Sequence, residues 1–177
     1  MPHNFLAIDL GAESGRAILA TLDNEQLSLT DLHRFPNGPV RLPDGLHWDI
    51  LRLWSEIKSA LQIATHQHNA QLAGIGIDTW GVDYGLLDRA GALIGNPYHY
   101  RDSRTDGMLE EAFRRVPRDD IFRETGIQFM QINTLYQLLA LVVRGSSALE
   151  AAALLLMTPD LFNYWLTGRK VSERTIA

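Results

Sequence analysis

FLAIDLGAESGRAILATL, residues Phe5–Leu22, decides how this chain folds. An apolar run of strand length meets a turn of small residues, Gly11–Gly15, and a second apolar run follows Arg16. A glycine-rich turn after a strand raises two nucleotide-binding patterns, the dinucleotide fingerprint and the P-loop. Both need the glycines to open a helix whose N-terminus meets phosphate, and the P-loop also needs Lys followed by Ser or Thr. RAILATL has the composition of a strand and no such Lys is present, so both fail. The spacing predicts an antiparallel hairpin. Its turn can still hold phosphate, because successive backbone N–H groups at small residues form an anion-binding concavity. Ala12, Ser14 and Gly15 permit that approach, Ser14 adds a hydroxyl donor, and Arg16 adds a cation. Asp9 ends the first strand and points toward the same phosphates, where a carboxylate is useful only with a divalent cation between; Mg²⁺ with retained waters meets that need. Glu13 opposes phosphate unless it faces solvent. The competing reading is an ordinary hairpin in which Asp9 accepts turn hydrogen bonds.

Outward from this hairpin, QLSLTDLHRF alternates as a third strand, and HWDILRLWSEIKSALQIATHQH changes period. Ile50, Leu53/Trp54, Ile57, Leu61 and Ala64 fall on one helical face, with Asp49 as N-cap. LAGIGIDTWGVDYGLLDRAGALIG returns to strand, with a turn at Asp88–Gly91 leading into a second run. Helices are expected over DGMLEEAFRRV, over RDDIFRETG up to Gly126, and over TLYQLLALVVRG from Asn133 or Thr134 to Gly145. ALLLM reads as a buried strand and TPDLFNYWLTG as a helix ending at Gly168. The fold class is α/β, a mixed sheet with a βββαβ start and flanking helices. No repeat or low-complexity tract divides the 177 residues, so one folded unit is expected.

Composition removes several classes of function. Apolar residues make up 46% and charged residues 21%, with no apolar run near the roughly 20 residues a membrane span needs. The first residues lack the pattern of a signal peptide, so a cytoplasmic location is expected. Without cysteine there is no disulfide, thiolate metal site or thiol nucleophile. A net charge of −5 gives no broad attraction to a phosphate backbone, so no nucleic-acid partner is expected. Arg114, Arg115 and Arg118, interleaved with Glu110, Glu111, Asp119 and Asp120, read as a solvated helix surface.

A second group of polar residues follows the later strand. In GIDTWGVDYG, Trp80 offers an apolar wall to one face of a sugar and Asp83 an acceptor for its hydroxyls. The plainer alternative puts Trp80 in the core and uses the acids as loop caps. YHYRDSRTDGM adds Arg101 and Asp102, which can simply pair with each other, and GIQFMQINTLYQL adds Gln128, Asn133, Tyr136 and Gln137. Asn133 is read as a helix cap.

In their order, AIDLGAESGR, GIDTWGVDYG, YRDSRTDGM, GIQFMQINTLYQL and MTPDLFNYWLTG resemble the N-terminal domain of the FGGY carbohydrate kinases, across nearly the whole chain. DTWGVD and YRDSRT narrow the resemblance to members acting on L-rhamnulose. The resemblance implies an actin-like, ribonuclease-H-like domain and transfer of the ATP γ-phosphoryl group to the 1-hydroxyl of that sugar, with Mg²⁺. It implies that Asp9 serves the metal, that Ala12, Ser14, Gly15 and Arg16 serve the ATP phosphates, and that Gly81 matches a sugar-contacting position; Glu13, counted with the ATP loop, departs from the small residue expected beside Ser14, and Trp80, Asp83, Arg101 and Gln128 join Gly81 as sugar-facing candidates from their own chemistry.

In that family the general base is an aspartate in a later His-Asp pair, and a second domain supplies most of the adenine pocket. Residues 1–177 are therefore expected to be an N-terminal portion, inactive alone and prone to self-association through apolar surface that other parts would cover. Three rival readings remain at this level: a kinase for another ketose or polyol, a non-catalytic actin-like nucleotide-binding module, and a two-metal nuclease built on Asp9, Glu56 and Asp78.

Overall fold

Alternation of apolar and polar residues sets which face of a strand is buried; the first two strands follow it, whereas on the third Leu27 and Leu29 stay exposed and Phe35 alone is buried. In the computed structural model, which describes residues 2–176, β1 (His3–Leu10) pairs antiparallel with β2 (Ser14–Asp23), and β2 with β3 (Gln26–Pro36). A hairpin of β4 (Pro39–Leu42) and β5 (Gly45–Trp48) precedes helix α1 (Ile50–Gln62) and a π-helical turn, Ile63–Gln67. Strand β6 (Leu72–Thr79) then lies parallel to β1, giving the order β3-β2-β1-β6. A parallel pair needs a long crossover, and α1 lies within it.

Where the sequence offered no internal boundary, the chain is arranged as two compact units. The first comprises Met1–Pro39, Asp49–Gly81 and Thr158–Ala177; the second, Val40–Trp48 and Val82–Met157. In the first, Leu6, Ile8 and Leu10 are buried on one face of β1, and Ile50, Leu53, Ile57 and Ala60 on one face of α1. Full burial of such a branched side chain stabilises by about 1.5–3 kcal/mol. Trp54 and Leu61, expected on that stripe, lie at its half-buried margin. Asp49 caps α1 as expected, accepting from the Arg52 N–H at 3.1 Å.

The second unit contains β7 (Tyr84–Leu87), antiparallel to β8 (Leu154–Met157), with a 3₁₀ turn at Ser103–Thr105. Helices α2 (Met108–Arg115), α3 (Arg118–Thr125), α4 (Thr134–Val143) and α5 (Ser147–Ala151) complete it. Ala112, Ile121 and Tyr136 form a local core under Phe113, Phe129 and Leu139. Helix α6 (Thr158–Thr167) belongs to the first unit. The stop signals act where expected: Gly126 and Gly168 take φ +63° and +72°, left-handed values that end α3 and α6 and that side chains disfavour.

Two expectations differ from what forms. His47 and Trp48 begin no helix; they are strand residues of β5, bridged in the chain by a His47–Tyr98 pairing. The run after the Asp88–Gly91 turn makes one bridge, Leu87 with Leu93, rather than a full strand. Gly95, at φ +72°, and Pro97, which has no N–H to donate, interrupt it.

Candidate functional site

The hairpin turn is built as its residue types require. Asp9 pairs in register with Arg16 and Leu10 with Gly15, and the Gly11 N–H closes the turn on the Ser14 carbonyl at 2.8 Å. The backbone beyond Arg16 stays extended for the whole of β2. Asn37 clasps the turn from outside: its Nδ2 donates to the Gly11 carbonyl at 2.7 Å and its main-chain N–H to that of Glu13 at 2.9 Å. The sequence marked this residue only by an ordinary Asn-Gly pair. Gly15 is glycine because of close approach: a Cβ there would lie 2.2 Å from Cε2 of Phe35. Glu13 is exposed, so its charge is solvated.

Asp9 lies on the face of β1 opposite Leu6, Ile8 and Leu10, and its carboxylate accepts from Arg16 Nε at 2.8 Å. Its register partner on β6 is Asp78, and Leu10 is paired with Thr79. The parallel pairing therefore delivers the turn after β1 and Trp80-Gly81 after β6 to the same end of adjacent strands. Trp80 is half-buried; Gly81 is exposed, and no atom lies within 4 Å of a Cβ placed on it. Among the described residues no group of three or more His, Asp or Glu side chains forms a metal cage. Glu56, the third acid of a nuclease-type arrangement, is engaged elsewhere, with His33 Nε2 at 2.6 Å and Arg52 at 3.7 Å. A half-exposed strand-end carboxylate suits a cation that keeps most of its waters, as Mg²⁺ does.

In the second unit, Asp83 is wholly buried. Its oxygens accept from Trp48 Nε1 at 2.6 Å, Gln137 Nε2 at 2.8 Å and the Tyr100 N–H at 3.2 Å. A direct part as acceptor of sugar hydroxyls is not what these surroundings support; it anchors the chain. Arg101 and Gln128 are exposed. The Arg101 guanidinium lies 5.3 Å from the Tyr100 ring centroid, and the Gln128 carbonyl accepts from Asn133 Nδ2 at 2.8 Å. Asn133 thus occupies the N-cap position of α4 without capping through its side chain.

Asp102 does not pair with Arg101. It accepts from the Leu46 and Arg104 N–H groups at 2.7 and 2.9 Å, and faces the Arg104 guanidinium at 3.6 Å. Burial alone would raise its pKa; the two N–H groups and the Arg104 charge outweigh that and hold it below the usual carboxylate value. Arg104 is 3% exposed, lies over the Tyr98 ring at 4.2 Å and donates to Gln137 Oε1. His99 stacks on Tyr100 and packs at a tilt against Trp48, at centroid distances of 4.5 and 4.1 Å. Its pKa is lowered to about 4, first by burial and then by the Arg101 charge.

Residues 4–177 match the model of the N-terminal domain of the FGGY family of carbohydrate kinases. The chain belongs to the FGGY family. Its relatives include a rhamnulokinase of Bacteroides thetaiotaomicron, 45% identical over 177 residues, covering 100% of this chain and 36% of that protein. A rhamnulokinase of Pectobacterium carotovorum is 46% identical over 179 residues, covering 98% and 35%. The chain therefore spans about a third of the length of these relatives. Among solved structures, a gluconate kinase from Lactobacillus acidophilus matches at TM-score 0.86 and 16% identity, covering 99% of this chain and 35% of that one. A xylulose kinase from Rhodospirillum rubrum matches at 0.82 and 21%, covering 99% and 37%. The actin-like fold expected of the resemblance is thus the fold of the FGGY neighbours, and the βββαβ order of the first unit is its core. No helix among the described residues is long and apolar enough to cross a membrane.

Proposed function

We propose that this FGGY chain is the N-terminal part of a kinase that moves the γ-phosphoryl group of ATP to the 1-hydroxyl of L-rhamnulose. The observation that carries the reading is the parallel register of β1 and β6, which gathers Asp9, the Gly11–Gly15 turn, Trp80 and Gly81 at one end of one sheet. A turn that ends in an extended strand presents main-chain N–H groups of Ala12 to Ser14 to an anion without a helix N-terminus, and Gly15, with no side chain, keeps the approach open. Ser14 Oγ donates to a phosphate oxygen, and Arg16 neutralises charge there once its guanidinium turns from Asp9. Asp9 orients the waters of a Mg²⁺ ion, which when bound spreads the charge that builds on the transferred group. Trp80 supplies an apolar wall and Gly81 an unobstructed main chain for the sugar; Arg101 and Gln128, exposed in the second unit, carry donors of the kind sugar hydroxyls accept. Glu13, exposed, stays in solvent. The identity of 45% to a rhamnulokinase across the whole chain supports L-rhamnulose over other ketoses.

Phosphoryl transfer depends on positioning and on a group that takes the hydroxyl proton. No residue of 1–177 is assigned that role, so the isolated chain is expected to show no sugar-dependent turnover. The test is a coupled ADP-release assay over a panel of ketoses and polyols, run on the isolated chain and on a full-length protein carrying it. L-rhamnulose should give the highest kcat/KM in the longer protein and nothing in the chain alone. A panel without any sugar-dependent turnover in the longer protein refutes the kinase reading and favours a nucleotide-binding module.

A further inference from the structure

Val82 carries a backbone conformation that its side chain disfavours. Its φ is +69°, in the left-handed region where a β-branched residue is a true outlier. Such a conformation persists only where the surroundings over-determine it, and such residues gather at ligand clamps. The surroundings here are specific. The Val82 carbonyl accepts from Thr134 Oγ1 at 2.8 Å and from Gln137 Nε2 at 3.1 Å. The next residue, Asp83, is held by Trp48, Tyr100 and the same Gln137 amide.

The orientation of Gln137 is fixed by elimination. Arg104 has only donors, so it must face Oε1, which leaves Nε2 toward three acceptors: Val82 O, Asp83 Oδ1 and, at 2.8 Å, Ile132 O. Gln137 is 1% exposed, so none of these bonds competes with bulk water. Arg104 is itself held by Asp102 and the Tyr98 ring. The chain of contacts therefore ends on two consecutive residues, and the residue before them is Gly81.

Neither glycine nearby relieves the strain. Gly81 and Gly85 keep negative φ, and the left-handed position goes to valine between them. For a β-branched residue that region is narrow, so a valine held there wobbles less than a glycine would. Within the sugar-kinase reading, on which this rests, we propose that Thr134 and Gln137 are positioning residues that lock Val82 left-handed and so fix the Gly81–Val82 peptide for a hydroxyl of a polyhydroxylated ketose.

Two measurements test it. In this chain, thermal melting compares Val82→Gly with Val82→Ala, which both lose the valine side chain. At a left-handed position the glycine variant melts higher, by roughly 2–4 °C; at an ordinary position the order reverses, and that result overturns the clamp. In a full-length protein carrying the chain, Val82→Gly and Thr134→Val should raise KM for the ketose about tenfold, the scale of one lost hydrogen bond, at little change in kcat. KM for ATP should stay put. Thr134→Ser, which keeps the donor, should restore the ketose KM, whereas a packing defect would not be rescued by a smaller residue. Unchanged ketose KM in both variants overturns the inference while leaving the kinase reading intact. If the wild-type protein turns over no sugar, the kinase reading fails and this inference falls with it, whatever the melting order.

Discussion

Gly15 and Gly81 are both glycine, for different reasons, and substitution separates them. A methyl on Gly15 would drive into the Phe35 ring, a 5% exposed side chain with little room to move. Gly15→Ala should therefore cost about 1–3 kcal/mol by overpacking, read as a drop of several degrees in melting temperature. A methyl on Gly81 meets nothing within 4 Å, so Gly81→Ala should leave melting within about 1 °C. If Gly81 faces sugar, the same variant in a full-length protein raises ketose KM at unchanged stability; unchanged KM would remove Gly81 from the site. Tyr84 gives a third residue-level test. Its hydroxyl is buried and no described residue meets it in good hydrogen-bond geometry, and burial, partly offset by the adjacent Arg104 side chain, pushes its pKa up to about 12. Tyr84→Phe removes an unsatisfied polar atom and should leave stability unchanged or raise it by up to about 1 kcal/mol. A clear loss in a calorimetric scan would mean that the hydroxyl has a partner, such as an ordered water.

Among the elements, those set by local pattern were legible in the sequence and those set by remote partners were not. The β1–β2 hairpin, α1 and its Asp49 cap, the ends of α3 and α6, and the short strand β8 follow from period, length and caps. The β4–β5 hairpin and the 3₁₀ turn at Ser103–Thr105 do not, because what holds them is distant in sequence: Asp102 accepts from Leu46 N–H, and a Cβ on Gly45 would lie 2.6 Å from the Asp102 carboxylate. The same division runs through the candidate site. Asp9, the turn and Trp80-Gly81 announce themselves as polar or small residues at strand ends. Asp83 looked like a ligand-facing acid because nothing in DTWGVD reveals that Trp48, 35 residues away, supplies an indole N–H to it. The Asp49 cap offers an element-scale check. Asp49→Ala removes the acceptor for Arg52 N–H and should cost about 0.5–2 kcal/mol, measured by urea unfolding at unchanged m-value.

For the molecule as a whole, two buried polar groups of the second unit lead to an expectation for the acid side of the stability profile. His99 has an ordinary pKa of 6.5 and a folded value of about 4, so between those values the unfolded chain holds a proton that the folded chain refuses. Stability is then complete above about pH 6.5 and falls as the pH drops toward 4, by at most about 1.4 kcal/mol per pH unit. Asp102 works in the same direction at lower pH: its depressed folded value gives stability present above the unfolded carboxylate pKa and lost as acid protonates it. Both groups meet at one place, since the His99 carbonyl accepts from Arg104, whose N–H also caps Asp102. Chemical unfolding of the chain from pH 7 to 4.5 should therefore show a steady loss of stability. His99→Gln, uncharged at every pH, should flatten most of that slope while lowering the plateau at pH 7 through lost packing on Trp48 and Tyr100. An unaltered slope in the variant would assign the acid sensitivity to other groups and would leave the stacked imidazole with a packing role alone.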